Sequence, residues 1–138
     1  MSKIAVVYWS GSGNTAAMAE AVLAGARAKG EACIFTAGEF SSDKMDEFDA
    51  VIFGCPAMGA EELEEGEMAP LFDACKPKLA GKKIGLFGSY GWGDGEWMRN
   101  WDADCRAAGA DMPADFVICN DAPDDAAIEA CKALGTAF

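Results

Sequence analysis

The stretch Val6-Val7-Tyr8-Trp9-Ser10-Gly11-Ser12-Gly13-Asn14-Thr15 decides how this chain folds. An apolar run ends there at a turn rich in hydroxyl groups and glycine, and sequence rich in Ala and Met follows it. This order predicts a strand, a loop and a helix that begins at the loop. The first-turn amides of a helix have no partner within the helix, and the helix dipole favours negative charge. The loop is therefore a candidate anion site.

The composition of the loop narrows the kind of anion. Residues 11–16 match G-x-G-x-x-A, a relaxed dinucleotide pattern that is weak evidence alone, and the chain has no Walker motif. The loop has no Lys or Arg, and its other side chains are hydroxyls and an amide from Ser10, Ser12, Asn14 and Thr15. Such a loop suits a terminal phosphate with many oxygens to saturate. The alternative is an ordinary Gly/Ser turn in which Thr15 caps the helix.

Length and composition indicate a single domain over residues 1–138. The chain is long enough to bury roughly two-thirds of its unfolded surface, and 51% of its residues are hydrophobic. No apolar run approaches the roughly 20 residues of a membrane span. Residues 1–3 run directly into the first predicted strand without the features of a signal peptide. We therefore expect a cytoplasmic protein with no membrane partner.

The cysteine pattern disfavours both a metal site and a disulfide framework. The six cysteines contain no C-x-x-C pair and the chain has no histidine, so zinc and iron–sulfur ligation have little support. We expect reduced, mostly buried thiols. The absence of histidine also removes the usual proton-transfer residue at neutral pH, which disfavours hydrolases.

The charge balance excludes one class of partner. There are 23 acidic and 11 basic residues, which give a formal net charge of −12. Nucleic acid is therefore a poor partner, because phosphate binding depends on clustered Lys and Arg. The acidic excess serves either solubility alone or steering toward basic partner proteins.

An alternation of apolar blocks and helical segments predicts the fold. Strands are expected at residues 4–9, 32–36, 50–54, 84–88 and 116–119, and helices at 15–29, 67–75, 96–108 and 124–138. Residues 38–49 permit about one amphipathic turn through Met45 and Phe48. The alternation predicts an α/β fold whose parallel sheet carries helices on both faces. Ligands bind such sheets beyond the carboxyl ends of the strands.

Two further loops lie at that edge of the predicted sheet. In residues 55–62, Met58 either packs back into the core or faces a ligand, and Gly59 permits a positive φ. In residues 89–97, Tyr90 and Trp92 lie among glycines, where exposed rings are expected to be covered by something flat. The same stretch leads into a helix whose Trp97 and Trp101, four residues apart, we assign to the core.

Taken together, these loops make the sequence resemble the short-chain flavodoxins of the clostridial and Megasphaera type over nearly its full length. The matching runs are residues 8–15, 54–59 and 85–93, and Cys119-Asn120 ahead of Pro123-Asp124. The resemblance implies a flavodoxin-like three-layer α/β/α sandwich with a five-stranded parallel sheet of order 2-1-3-4-5. It also implies a low-potential electron carrier, not an enzyme. Such a carrier binds FMN non-covalently and shuttles single electrons between redox proteins through neutral semiquinone and anionic hydroquinone states.

The resemblance also implies which residues bind the cofactor. The phosphate is held by the side chains of Ser10, Ser12, Asn14 and Thr15 and by the amides of Gly11 and Gly13. Met58 and Trp92 cover the two ring faces, Gly59 permits a carbonyl to turn toward the ring, and Glu61 accepts a hydrogen bond from the pyrimidine edge. Residues implied to lie near the ring or the ribityl chain are Ala57, Ser89, Tyr90, Gly91 and Asn120.

Acidic side chains surround the implied site, namely Glu61, Glu62, Glu64, Glu65, Glu67, Asp94 and Glu96. Their repulsion of a second added electron is expected to place the second reduction potential well below the first. The implied partners are redox proteins with basic patches, such as ferredoxin/flavodoxin reductases and oxidoreductases. We expect the carrier itself to be a monomer.

Other functions fit the sequence less well. A flavodoxin-like FMN reductase acting on NADH, a quinone or a ribonucleotide-reductase subunit usually needs extra chain or basic residues for a second nucleotide. A response-regulator receiver needs an Asp at the end of the third strand, where Gly54 and Cys55 stand. A phosphatase of this fold needs a Cys and an Arg in its phosphate loop, and residues 10–15 contain neither. A dimeric scaffold protein that binds no flavin is the remaining alternative.

Overall fold

The computed structural model describes residues 2–138, so Met1, with which the predicted domain begins, lies outside the described residues. Five parallel strands form one sheet in the order β2-β1-β3-β4-β5, which confirms the predicted topology. The strands are β1 (Lys3–Tyr8), β2 (Glu31–Thr36), β3 (Ala50–Gly54), β4 (Lys83–Tyr90) and β5 (Val117–Asn120). The α-helices in residues 2–138 are α1 (Asn14–Arg27), α2 (Met68–Cys75), α3 (Glu96–Ala107) and α4 (Asp125–Thr136).

The central strands are buried on both faces, as their continuous apolar runs predict. Ala5 and Val7 of β1 face one core with α2 and α3, whereas Ile4 and Val6 face a second core with α1 and α4. This alternation follows from the two-residue period of a strand. Each face of the sheet therefore buries an apolar helix surface, which gives the three-layer sandwich.

The predicted core tryptophans hold α3 against the sheet. Trp97 and Trp101 are each 2% exposed. The Trp101 ring packs edge-on against Phe72 of α2, with centroids 5.7 Å apart, and the Trp97 indole N–H donates to the Cys55 carbonyl at 3.1 Å. The second bond joins α3 directly to the end of β3. It helps place the loop that follows β3 relative to the one that precedes α3.

Small residues allow α1 and α4 to pack closely. A Cβ atom on Gly25 would overlap the Lys132 carbonyl, and one on Gly135 would overlap the Val22 carbonyl. Only glycine permits such close backbone approach. Gly30 follows the last turn of α1, and its amide donates to the Ala26 carbonyl at 3.1 Å.

Most helix and strand ends differ from the prediction by one or two residues, and two of these differences affect the carboxyl edge of the sheet. β4 continues through Ser89 and Tyr90, which the sequence places in a loop, because they pair with Cys119 and Asn120 of β5. Helix α1 begins one residue earlier than predicted, at Asn14, and Gly13 in the left-handed conformation (φ 98°) precedes it. Thr15 is therefore inside the first turn instead of capping it.

The second crossover contains little helix, in line with its weak sequence signal. It forms a 3₁₀ helix over Ser42–Glu47, and Met45 and Phe48 are buried as predicted. The Lys82 ammonium group donates to the carbonyls of Met45 and Phe48 at 2.9 and 2.7 Å. The Met45 carbonyl also accepts the Phe48 amide at 3.4 Å, so Lys82 adds a second donor there and ties the end of this short helix to the residue before β4. Within residues 2–138, no helix is both long and apolar enough to cross a bilayer.

Candidate functional site

The loop after β1 gathers backbone donors around one oxygen. The amides of Gly13 and Ala16 both donate to the Ser10 hydroxyl oxygen, at 3.1 and 3.2 Å. In the described part of the chain, the amides of Gly11 and Ser12 donate to no protein atom. Because N–H groups that converge at a helix N-terminus form an anion nest, the Gly11 and Ser12 amides are available to an anion, while the Ser10 oxygen orders the amides of Gly13 and Ala16.

Trp9 shapes the space beside this nest. Its ring lies against Gly11, where an added Cβ atom would come within 3.2 Å of the indole. A cavity of about 530 Å³ opens between the nest and the end of β2, and Thr36 and Glu67 line its far side. The loop is therefore open to a ligand as large as a phosphate ester, with an aromatic wall beside the nest.

Thr15 and Ser89 connect the nest to the end of β4. Their hydroxyl oxygens lie 2.9 Å apart, and the two residues are 1% and 5% exposed. The Ser89 carbonyl also accepts the Ala57 amide at 3.0 Å. A chain of hydrogen bonds thus runs from the first turn of α1 through β4 to the loop after β3.

A second cavity, of about 290 Å³, lies between the loops after β3 and β4. Met58 and Trp92 belong to its lining, and Trp92 is 53% exposed. Trp9, Gly11 and Ser12 line both cavities, so the nest and this cleft are neighbours. The cleft is lined mainly by apolar and aromatic groups, which suits a flat, largely apolar ring.

The turn after β3 is closed by reciprocal bonds between Met58 and Glu62, whose amides and carbonyls pair at 2.9 and 2.8 Å. Inside it, Gly59 (φ 53°) and Glu61 (φ 55°) both adopt the left-handed conformation. That conformation costs glycine little, as predicted for Gly59, but it strains the non-glycine Glu61. The surroundings must therefore hold Glu61 in place.

Hydrogen bonds across the cleft join the loop after β3 to the loop after β4. The Trp92 indole N–H donates to the Gly59 carbonyl at 3.2 Å, and the Asp94 amide donates to the Glu61 carboxylate at 3.2 Å. One Glu61 oxygen is thus engaged by Asp94. These bonds fix the distance between the loops that carry Met58 and Trp92.

The Glu64 carboxylate holds the start of α2. It accepts the amides of Gly66, Glu67 and Met68 at 2.6, 2.7 and 3.0 Å. Burial by itself raises the pKa of this carboxyl, but the donors from Met68, Glu67 and Gly66 outweigh burial and leave the pKa below its ordinary value. These bonds anchor the turn after β3 to helix α2.

The thiol at the end of β3 is buried. Burial raises the pKa of Cys55 to about 12, only partly offset by the Glu64 amide that donates to its sulfur at 3.4 Å. A thiol with so high a pKa carries almost no thiolate at neutral pH, which disfavours a nucleophilic role for Cys55.

Most of the predicted site residues line the two cavities. They are Ser10, Gly11, Ser12, Gly13, Asn14, Ala57, Met58, Ser89, Tyr90, Gly91 and Trp92. Gly59 faces a neighbouring cavity, while Glu61 is bonded to Asp94, and Thr15 is buried beneath the nest. The exposed Asn120 side chain donates to the Tyr90 carbonyl at 3.2 Å and supports the end of β4.

The sequence prediction missed three cleft residues, Trp9, Pro56 and Asp121. Trp9 had a usable signal, because it directly precedes the anion loop and ligand clefts are lined mainly by hydrophobic and aromatic side chains. Asp121 adopts φ 56° after β5. No pattern in the sequence distinguishes that turn from an ordinary Asx turn.

Comparison with known proteins agrees with this geometry. Residues 6–134 match the flavodoxin family. The chain is 44% identical to a flavodoxin of Megasphaera elsdenii over 97% of its own length and 96% of the relative's. It is 40% identical to a flavodoxin of Clostridium beijerinckii over 88% of each chain.

Solved structures lead to the same family. The solution structure of two-electron reduced Megasphaera elsdenii flavodoxin superposes with a TM-score of 0.88, covering 97% of this chain and 96% of that one. Flavodoxins transfer electrons on a bound FMN and do not turn over a substrate of their own. The chain therefore belongs to the flavodoxin family of FMN-dependent one-electron carriers.

Proposed function

We propose that residues 10–15 and the cleft between Met58 and Trp92 together hold one FMN, through which this single domain passes electrons between redox proteins. The observation that carries this proposal is the adjacency of two different environments. A nest of backbone donors lies beside an apolar cleft, and the two share Trp9, Gly11 and Ser12. A molecule with a phosphate at one end and a flat ring at the other fits both.

The nest fits a phosphate dianion without a cation. The Ser10 oxygen already accepts two amides, and further amides at Gly11 and Ser12 are free to donate among the described residues. A phosphate brings several oxygens, each of which takes more than one donor. Because the protein carries a net charge of −12, this binding depends on short, preorganised hydrogen bonds in place of long-range attraction.

The cleft fits a flat ring whose outer edge stays accessible. FMN supplies reversible one-electron chemistry when it is bound. Met58 and Trp92 stand at the cleft, and the exposure of Trp92 leaves this side open to a partner protein. The Gly59 carbonyl accepts the Trp92 indole N–H, and its second lone pair is available to a donor at the edge of a ring bound in the cleft.

The partners are proposed to be redox proteins with basic patches. Glu62 and Glu65 are exposed near the cleft, and Asp94 lies on the opposite loop. Complementary charge speeds encounter and orients docking. We propose that the carrier is monomeric, so that this acidic surface is accessible to a redox partner. We also propose that it is cytoplasmic and has no nucleic-acid partner.

Titration of the apoprotein with FMN and with riboflavin tests the proposal. We expect one FMN per chain, and Ser10→Ala should weaken FMN binding by about tenfold or more, since the phosphate loses a hydroxyl donor and the loop loses the acceptor that orders two of its amides. Riboflavin lacks the phosphate, so its affinity should change much less. Equal losses for both ligands, or no FMN binding at all, would overturn this site. Rapid NADH oxidation by the purified protein would instead support the reductase.

A further inference from the structure

Two hydrogen bonds, which we call the cross-loop clasp, join the loop after β3 to the loop after β4. They run from the Trp92 indole to the Gly59 carbonyl and from the Asp94 amide to the Glu61 carboxylate, both at 3.2 Å. Met58 and Trp92 lie on the loops so joined, and both line the cleft. For a flat ring to leave from between these side chains, the two loops must separate.

The loop that carries Trp92 has little stiffness of its own. Gly91, Gly93 and Gly95 alternate with its other residues, and Gly93 (φ 79°) and Gly95 (φ 95°) adopt the left-handed conformation. Glycine loses more conformational freedom on ordering than any other residue. Contacts from outside the loop must therefore hold it in the conformation that forms the cross-loop clasp.

Arg99 supplies such a contact from the first turn of α3. Its guanidinium donates from Nη1 to the Asp94 carbonyl and from Nη2 to the Asp94 carboxylate, both at 3.0 Å. The planar fork thus grips the backbone and the side chain of one residue. Since Trp97 and Trp101 fix α3 on the core, Arg99 connects the glycine-rich loop to a rigid element.

On the side of the loop after β3, Glu61 packs closely against the glycine-rich loop. A Cβ atom on Gly93 would overlap the Glu61 carboxylate, so the loop backbone and this side chain are in direct contact. Glu61 is held at φ 55°. A strained residue persists where its surroundings over-determine its conformation, and the Asp94 amide is the polar contact that does so on this side.

We propose that Arg99 is a positioning residue that holds Asp94, and with it the cross-loop clasp, so that the cleft retains FMN. The inference rests on the proposed FMN site, although Arg99 lines neither of its cavities. Its effect is on the rate at which the loops separate. Local opening of a weakly packed loop limits ligand release in such an arrangement.

Matched variants on one helix isolate this role. Arg99→Gln removes the fork, whereas Arg106→Gln removes an equal charge from the last turn of α3, where Arg106 pairs with Asp102 at 2.9 Å. Two readouts apply: hydrogen exchange of the Asp94 amide in the apoprotein, and the rate of FMN release from the holoprotein. We expect Arg99→Gln to raise both by about three- to fivefold, the upper part of the range for an exposed ion pair, because Arg99 also donates to the Asp94 carbonyl. Arg106→Gln should leave both near wild type.

Two further variants separate positioning from charge. Arg99→Lys keeps the charge but cannot reproduce the planar fork, so it should also speed exchange and release. Asp94→Asn removes a negative charge near the site, which by electrostatics alone would slow loss of the FMN dianion. Because an amide oxygen accepts the bond from Arg99 Nη2 more weakly than a carboxylate does, the proposal predicts faster release from this variant.

The outcomes are decisive in either direction. Wild-type rates in Arg99→Lys, slower release from Asp94→Asn, or equal effects of Arg99→Gln and Arg106→Gln would overturn the inference. Failure of the wild-type protein to bind FMN would instead reject the proposed site. In that case exchange at the Asp94 amide of the apoprotein still decides whether Arg99 holds the loop.

Discussion

The hydroxyl oxygens of Thr15 and Ser89 lie 2.9 Å apart in the interior, between the nest after β1 and the end of β4. The bond joins residues 74 positions apart in sequence. Each hydroxyl can donate once and accept twice, so one member can serve the other and still keep capacity for a ligand or a backbone group. The pair therefore links the two halves of the site.

Removing both hydroxyls of this pair should cost less than the sum of the two single removals. Thr15→Val leaves the Ser89 hydroxyl buried without its partner, and we expect a loss of about 1–3 kcal/mol in the free energy of unfolding of the apoprotein. The double variant with Ser89→Ala should lose less than the sum of the single variants, because no buried donor is then orphaned. Urea denaturation of all four proteins measures this. Strict additivity would show that the pair is not coupled.

The close contact between α1 and α4 predicts that a Gly→Ala substitution in α1 destabilises the protein, the opposite of its usual effect in a helix. Gly→Ala in a helix interior ordinarily stabilises by about 1 kcal/mol. Gly25→Ala should instead destabilise by about 1–3 kcal/mol, since its Cβ atom would overlap the Lys132 carbonyl and force the helices apart. Ala24→Gly, on the exposed face of the same helix, serves as control and should lose only the propensity difference. A stabilised Gly25→Ala protein would contradict the close packing.

Features set by neighbouring residues could be predicted from the sequence, whereas contacts between distant loops could not. The loop at residues 10–15 was predictable, because strand, glycines and helix lie side by side in the chain. The burial of Met45 and Trp101 was predictable for the same reason, from periodicity. The cross-loop clasp was not, because Gly59 and Trp92 are 33 residues apart and their bond depends on where two loops meet. The buried pairing of Thr15 with Ser89 was likewise beyond any local pattern.

Thiol chemistry should distinguish two classes of cysteine. Burial raises the pKa of Cys105 and of Cys131 to about 12. Cys33 and Cys119 are only half-buried. At mildly alkaline pH a disulfide reagent should therefore modify at most these two thiols in the native apoprotein, and Cys119 slowly, since burial and nearby Asp124 and Asp121 raise its pKa.

The matched control for thiol reactivity is the same protein in denaturant, where all six cysteines should react at similar rates. Cys33→Ser should remove one of the native reactive groups and leave the other unchanged. Rapid modification of more than two thiols under native conditions would show that the core opens more readily than its packing indicates.

The Glu64 cap predicts a defined dependence of stability on pH. Three backbone amides hold the pKa of this carboxyl below its ordinary value of 4.5. A lowered folded-state pKa means that the stabilisation is fully present above the unfolded-state pKa and is lost as the pH falls through the folded-state pKa. Glu64→Gln should therefore reduce the free energy of unfolding by about 1 kcal/mol at pH 7, the usual worth of a helix cap.

The difference between wild type and Glu64→Gln should shrink below pH 4.5, because the wild-type carboxyl then gains a proton as well. Urea denaturation at several pH values between about 7 and 3 measures it. Glu65→Gln is the matched control, since it removes an equal charge from an exposed neighbour outside this set of hydrogen bonds. A difference for Glu64→Gln that stayed constant with pH, or one shared by Glu65→Gln, would mean that the charge of the turn, and not the cap on α2, stabilises this side of the cleft.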